Sequence, residues 1–144
     1  MARCRIGVVI HKEMRDQIFS RECWERLRAL GEVVATDSAK PIPVEQASEL
    51  LRECEIGVGS WDTPHPNAAL MAACPKLRLW EHAAGSVKHM FGPHLEGRTL
   101  TIASCAPAIA ENVAETALGE LIVGLRQLIP DAAANRKGIV KTKP

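Results

Sequence analysis

Five short apolar runs, each followed by a polar or helix-periodic stretch, constrain this chain more than any other feature. The runs are CRIGVVI (4–10), EVVAT (32–36), EIGVGS (55–60), KLRLWEH (76–82) and RTLTIAS (98–104). Runs of this length, rich in β-branched residues and bounded by turn formers, read as buried strands. Between them, residues 13–30 carry Met14, Ile18, Phe19, Leu27 and Leu30 at broadly helical spacing, with Gly31 placed as the stop. VEQASELLREC (44–54) puts Val44, Ala47, Leu50 and Leu51 on one helical face, and NAALMAAC (67–74) predicts a short helix. The order β-α-β-α-β-α-β-x-β-α implies an α/β fold: a parallel sheet with helices on both faces. With five strands the expectation is a flavodoxin-like, doubly wound five-stranded parallel sheet in the order 2-1-3-4-5.

One more helix follows. Residues 110–129 place Val113, Ala117, Leu121, Leu125 and Leu128 on one stripe, widened by Leu118, Ile122 and Ile129. A helix of that length spans about 28 Å, longer than so small a sheet needs. The organisation read from the sequence is therefore a sheet domain over 1–108, a long crossover helix over 109–130 and a polar tail over 131–144. An apolar helix of this kind, uncovered, drives association, so a homodimer through 110–129 is expected.

Composition narrows the function classes. The 144 residues suit one domain with a sizeable core. The net charge of +1, with charges interspersed, gives no footprint for nucleic acid or an anionic membrane. No apolar stretch reaches the roughly 18 residues of a membrane span. The N-terminal MARCRIGVVIHKE breaks at His11 and lacks a signal-peptide cleavage site, which reads as cytoplasmic. Cys4, Cys23, Cys54, Cys74 and Cys105 are odd in number and include no C-x-x-C pair, so neither a disulfide framework nor a zinc site is expected. His65, His89 and His94 are not spaced as metal ligands.

In a doubly wound sheet, ligands bind beyond the carboxyl ends of the strands, at the point where strand order reverses. The loops expected there are His11–Lys12, Ser60–Trp61–Asp62 and Ala83–Ser86. The last lies in LWEHAAGSVKHMFGPH (79–94), where a strand ends in the small-residue loop AAGS. Such a loop can bring bare backbone N–H groups to an anion. Several functions of this fold do not fit. SCAPAIAEN (104–112) holds no lysine for a phospho-receiver, and HKEMRDQ (11–17) is no flavin phosphate loop. Asp62 and His65 are misspaced for a cobalamin motif, and the chain contains no G-x-G-x-x-G.

A positive match covers residues 57–129. CPKLRLW (74–80), AAGSVKHM (83–90), GRTLTIAS (97–104) and VAETALGELI (113–122) follow in an order and spacing that resembles the D-isomer-specific 2-hydroxyacid dehydrogenases. The resemblance implies the N-terminal substrate domain of a two-domain, NAD- or NADP-dependent oxidoreductase. It implies that backbone amides around Ala84, Gly85, Ser86 and Val87 hold the carboxylate of a small 2-hydroxy or 2-oxo acid. Ser60, Trp61 and Asp62 would form the opposite wall. The family's catalytic arginine, glutamate and histidine, and its Rossmann domain, lie beyond the crossover helix. No catalytic or cofactor-binding residue is therefore expected here, and the chain alone is expected to be inactive and to bind no cofactor. Lys88 stands where many members carry an acid. Ile109, which cannot donate a hydrogen bond, stands where the family has an asparagine near the reacting carbonyl. His82 reads as a hydrogen-bonded structural histidine, Arg126 as a solvated or interface residue, and His11 as the histidine at the switch point. The alternative is a stand-alone flavodoxin-like module that binds a small carboxylate or a protein partner.

Overall fold

The computed structural model describes residues 3–88, 90–91 and 99–139. His89, His94, the Gly97–Arg98 start of the fifth run and the end of the basic tail lie outside the described residues. The chain divides into two compact units, Met1–Ala106 and Pro107–Pro144.

The first unit is built on β1 (Arg5–Val8), β2 (Glu32–Ala35), β3 (Ile56–Gly59), β4 (Leu79–His82) and β5 (Thr101–Ser104). They form one sheet in the order β2-β1-β3-β4-β5, with every pairing parallel. This is the doubly wound α/β order expected from the alternation of runs. Side chains alternate between the two faces. Ile6, Val8, Ile10 and Val58 pack on one side with Met14, Ile18, Phe19, Trp24 and Leu27 of the first helical segment. Val9 and Trp80 pack on the other with Ala47, Leu51, Leu70 and Met71, contributed by α3 (Val44–Leu51) and α4 (Ala68–Ala73).

One row across the sheet explains how that second face closes. The register aligns Val34, Gly7, Gly57, Trp80 and Ile102. The two central positions lack side chains. Leu51 settles over Gly7, where an added Cβ would lie 2.5 Å from its Cδ2. The Trp80 indole covers β3: a Cβ on Gly57 would lie 2.8 Å from its Cε3, and one on Gly59 2.6 Å from its Cζ2. Trp80 is 0% exposed, and Phe91 meets its edge at 5.7 Å between ring centroids.

The stretch 13–30 is two helices, α1 (Lys12–Ile18) and α2 (Arg21–Leu30), rather than one. Phe19 is extended, with φ −104 and ψ 115. Ser20 then caps α2, its Oγ accepting from Cys23 N at 3.2 Å. Phe19, just before the cap, packs edge-on against Trp24 at 5.7 Å. This is a hydrophobic staple across a serine cap, and it turns the chain sharply enough for both helices to lie on the sheet. Gly31 does end α2, but in extended backbone with φ −173. Its requirement is space, since an added Cβ would sit 2.2 Å from the Cys4 carbonyl oxygen.

In the second unit, α5 (Ala106–Leu125) begins earlier than the pattern suggested, and α6 (Leu128–Arg136) follows it. The stripe extended through Leu128 and Ile129 is therefore broken at Gln127, which takes a left-handed φ of 53. Pro130 supplies the reason. Inside a continuing helix it would lose the bond to the carbonyl of Arg126 and clash with it, whereas the first turn of a new helix accepts it. The first residues of the supposed tail thus form α6. It ends in a Schellman motif, with Gly138 at φ 75 and Ile139 N donating to Ala134 O at 3.0 Å.

The Trp80 contact yields a stability prediction. Gly59→Ala forces the indole out of place and should lower the unfolding free energy by about 1–3 kcal/mol in urea titrations. Gly85→Ala, with nothing within 4 Å of the new Cβ, should stay within about 0.5 kcal/mol. In a Trp80→Leu background the cost of Gly59→Ala should shrink.

Candidate functional site

The candidate site forms where β3 and β4 end side by side, Gly59 aligned with His82. The parallel ladder runs one step further, Ala83 N donating to Gly59 O at 2.7 Å. Ser60, only 2% exposed, then clips the two exits together: its Oγ donates to Ala83 O at 3.0 Å. Its carbonyl organises the next turn, accepting from Thr63 N at 3.4 Å and from Thr63 Oγ1 at 2.7 Å. Asp62 occupies the third position of this turn at φ 61, a conformation aspartate tolerates better than most side chains. Trp61 and Asp62 stand at the exposed tip, Trp61 52% exposed. Asn67 closes the segment by capping α4, its Oδ1 accepting from Leu70 N at 2.9 Å.

After β4 the chain turns tightly. Ala84 N donates to His82 O at 2.7 Å, and Cys105 N approaches both His82 O at 3.2 Å and Ala84 O at 3.0 Å. This fixes the β4 exit to the β5 exit and buries Ala84 completely. The next three amides, of Gly85, Ser86 and Val87, donate to no group among the described residues. Ser86 Oγ accepts from Lys88 N at 3.4 Å.

Between the two loops lies a cleft of about 310 Å³. Ser60, Trp61, Asp62, Gly85 and Ser86 all line it. The two candidate loops thus share one cavity. Ala84 is buried and does not line it, and Val87 packs against the core. Thr63, His65, His82 and Met90 complete the lining and were missed from the sequence as members of one site. The signal for His82 was its place at the end of β4. Its membership depends on the β3–β4 register, which no local pattern supplies.

His11 belongs elsewhere. Its Nδ1 lies 2.9 Å from Ala39 O. A carbonyl only accepts, so Nδ1 carries the proton and cannot also accept from Met14 N, 3.4 Å away. With Lys12 N donating to Ser38 O at 2.7 Å and Arg15 Nη1 to Thr36 O at 2.7 Å, it ties the β1 exit to the β2 exit. The expected crevice between β1 and β3 is therefore not where the cleft opens; it opens one strand further along.

A somewhat larger hollow, about 370 Å³, lies against α1, α2 and β2. Its cations are engaged: Arg15 and Arg28 stack on Trp24 at 5.2 and 5.4 Å, and Arg21 pairs with Glu25 at 2.9 Å. The cleft at β3–β4 combines open amides with polar side chains and is the better candidate. Among the described residues no group of three or more His, Cys, Asp or Glu is placed to hold a metal ion.

Neither Cys54 nor Cys105 is poised as a nucleophile. Burial pushes the Cys54 thiol up to about 11. Cys105 is also pushed up, by burial first and then by Glu81, whose Oε1 lies 3.8 Å from its Sγ. A raised value means less thiolate at a given pH. Cys105 should therefore react with iodoacetamide at pH 8 more slowly than N-acetylcysteine, and Glu81→Gln should speed it. Cys54 should react only on unfolding. Mass-spectrometric time courses read all three.

No protein-family model matches the chain, and no curated protein matches its sequence. Solved structures do match its fold. Apo D-mandelate dehydrogenase from Rhodotorula graminis is similar at TM-score 0.71 and 17% identity, over 94% of this chain and 41% of that one. An acyclic imino acid reductase (Bsp5) in complex with NADPH and D-Arg gives 0.73 and 15%, over 97% and 43%. D-Lactate dehydrogenase from Aquifex aeolicus, complexed with NAD and lactic acid, gives 0.62 and 12%, over 97% and 39%. The chain spans about two fifths of the length of each. At these identities the likeness is one of fold: this chain has the α/β architecture of part of these dehydrogenase and reductase structures.

Proposed function

We propose that this chain is the substrate-holding portion of an NAD(P)-dependent D-2-hydroxyacid dehydrogenase-like oxidoreductase, and that it is inactive by itself. The observation that carries the reading is the pair of open amides at Gly85 and Ser86 on the wall of the β3–β4 cleft. Two N–H groups in a tight loop suit a carboxylate, whose oxygens accept without any proton changing hands. Ser60, Trp61 and Asp62 then bound the rest of a small 2-oxo or 2-hydroxy acid. The role of these residues is to hold and orient C2 and to keep water from one side of it. The solved structures of like fold, whose names are those of 2-hydroxy-acid dehydrogenases and an imino acid reductase, support the substrate class.

The residues described here do not suit a dinucleotide. The first strand-to-helix turn, where a doubly wound sheet can seat a pyrophosphate, has no glycine between Ile10 and Met14. Its Lys12 amide is already bonded to Ser38 O. On this reading NAD or NADP is held by residues other than these, and no step of hydride transfer is assigned to this chain. We place the protein in the cytoplasm, with free thiols at Cys23 and Cys105. Among the described residues no helix is long and apolar enough to cross a membrane.

The reading also gives α5 a partner. No residue of α5 is buried, and Val113, Leu118, Leu121, Ile122 and Leu125 are all more than half exposed. At 3.6 residues per turn they span about half the circumference. A second copy of the chain is the occupant this reading assigns. Leu121→Glu with Leu125→Glu should convert a dimer to a monomer in light scattering; a monomeric parent chain would remove this part.

Titration with 2-oxohexanoate, followed in ¹H–¹⁵N NMR spectra, tests the site. Saturable shifts should centre on the Gly85 and Ser86 amides and vanish in Gly85→Leu, which puts a side chain where nothing lies within 4 Å of the Cβ. With NADH present the chain alone should turn over no 2-oxo acid. Shifts centred on the α1–α2 hollow, or none, would overturn the assignment.

A further inference from the structure

We infer that the acid taken by the β3–β4 cleft carries a positive charge, a guanidinium or ammonium group, at the end remote from its carboxylate. The inference rests on the carboxylate-cradle reading above and adds the substrate class.

The argument begins with charge. Among the described residues the cleft is lined by no lysine or arginine, while Asp62 shares its lining with Gly85 and Ser86. Lys88 is exposed, follows the loop and does not line the cleft. Asp62 makes no ion pair among the described residues. A simple anionic acid would therefore be drawn to two amides in the same small cavity as a carboxylate that has no cationic partner among the described residues. Like charges at such separation, partly screened by water, weaken binding on the order of tenfold. A zwitterionic acid reverses the sign: its carboxylate meets the amides and its cation meets Asp62.

Trp61 makes the second half of the argument. It adjoins Asp62 in the same lining and leaves half of a large aromatic surface uncovered. An indole face beside a carboxylate attracts a cation through the ring quadrupole and through charge together, and guanidinium stacks on it best. The tip is held rather than loose. Thr63 fixes the turn through its two bonds to Ser60 O, and Ser60 Oγ anchors the turn to Ala83. Asp62 is thereby kept at φ 61, in the left-handed region, on a fixed frame.

Binding to the full chain can be compared for three 2-oxo acids: 5-guanidino-2-oxopentanoate, 2-oxohexanoate and 2-oxoglutarate. The readout is the shift of the Gly85 and Ser86 amides at about pH 8.5, above the range in which imidazoles ordinarily charge. The guanidino acid should bind about tenfold more tightly than 2-oxohexanoate, with 2-oxoglutarate weakest. Asp62→Asn, which keeps a side chain tolerant of the left-handed backbone, should reduce the preference to about twofold while 2-oxohexanoate binds as well or better. Trp61→Leu should weaken the guanidino acid selectively. If 2-oxohexanoate binds as tightly as the guanidino acid, or the preference survives Asp62→Asn, the cation inference is overturned and the carboxylate cradle stands. If none of the three acids shifts the Gly85 and Ser86 amides, the cradle fails and this inference fails with it.

Discussion

The contact of the Trp80 indole with two glycines of β3 is the constraint on which the rest of the first unit depends. Burying an indole removes roughly 150–250 Å² from water, worth about 4–6 kcal/mol at 25 cal/mol per Å². The same burial leaves Trp80 Nε1 without a hydrogen-bond partner among the described residues, a cost of about 1–3 kcal/mol. The apolar term wins, but only while Gly57 and Gly59 let the ring lie on the strand. With the ring in place, β4 is held against β3 in the register that pairs Gly59 with His82. That register brings Ser60 within hydrogen-bond reach of Ala83 O and puts both loops in the lining of one cleft.

Much of this was legible because the elements are short and cleanly bounded. All five apolar runs became strands, and alternation along CRIGVVI put Ile6, Val8 and Ile10 on one face. The loops at 60–62 and 85–86 were legible as strand exits, and an order of 2-1-3-4-5 puts β3 beside β4. What failed was finer. The break at Phe19–Ser20 was written in the sequence as a cap and a staple, but the helical period on either side masked it. Pro130 was likewise visible, and a stripe read through it was a stripe read too far. His11 was assigned to the crevice because it ends β1. Only the fold shows Ala39, 28 residues away, accepting a hydrogen bond from its Nδ1. Thr63, His65, His82 and Met90 come from separated positions, and their meeting is a property of register and turn geometry.

The β1 exit is closed on its β2 side, while the cleft opens at the β3 and β4 exits. Three hydrogen bonds, from His11, Lys12 and Arg15 to the carbonyls of residues 36–39, tie the β1 exit to the β2 exit. These β1 exit donors are consumed. At the β4 exit the opposite holds: Ala84 is pinned on both sides, and the amides after it are left pointing at no acceptor among the described residues.

Two amides are a specific but weak anchor. Charge-assisted hydrogen bonds contribute about 1.5–3 kcal/mol each, so the pair gives about 3–6 kcal/mol. Association costs at least about 4 kcal/mol in lost translational and rotational freedom. The balance, at best about 2 kcal/mol, corresponds to dissociation constants of tens of millimolar or weaker. A cleft with this donor set orients an acid far better than it retains one. Among the described residues its lining supplies no arginine. Tight retention would need contacts from outside these residues, which is the arrangement expected where one domain presents the acid and another closes over it. On the proposed reading, fixed amides that do not titrate would suit that division, because they would hold a carboxylate alike before and after reaction and leave the difference in binding to the groups that meet C2.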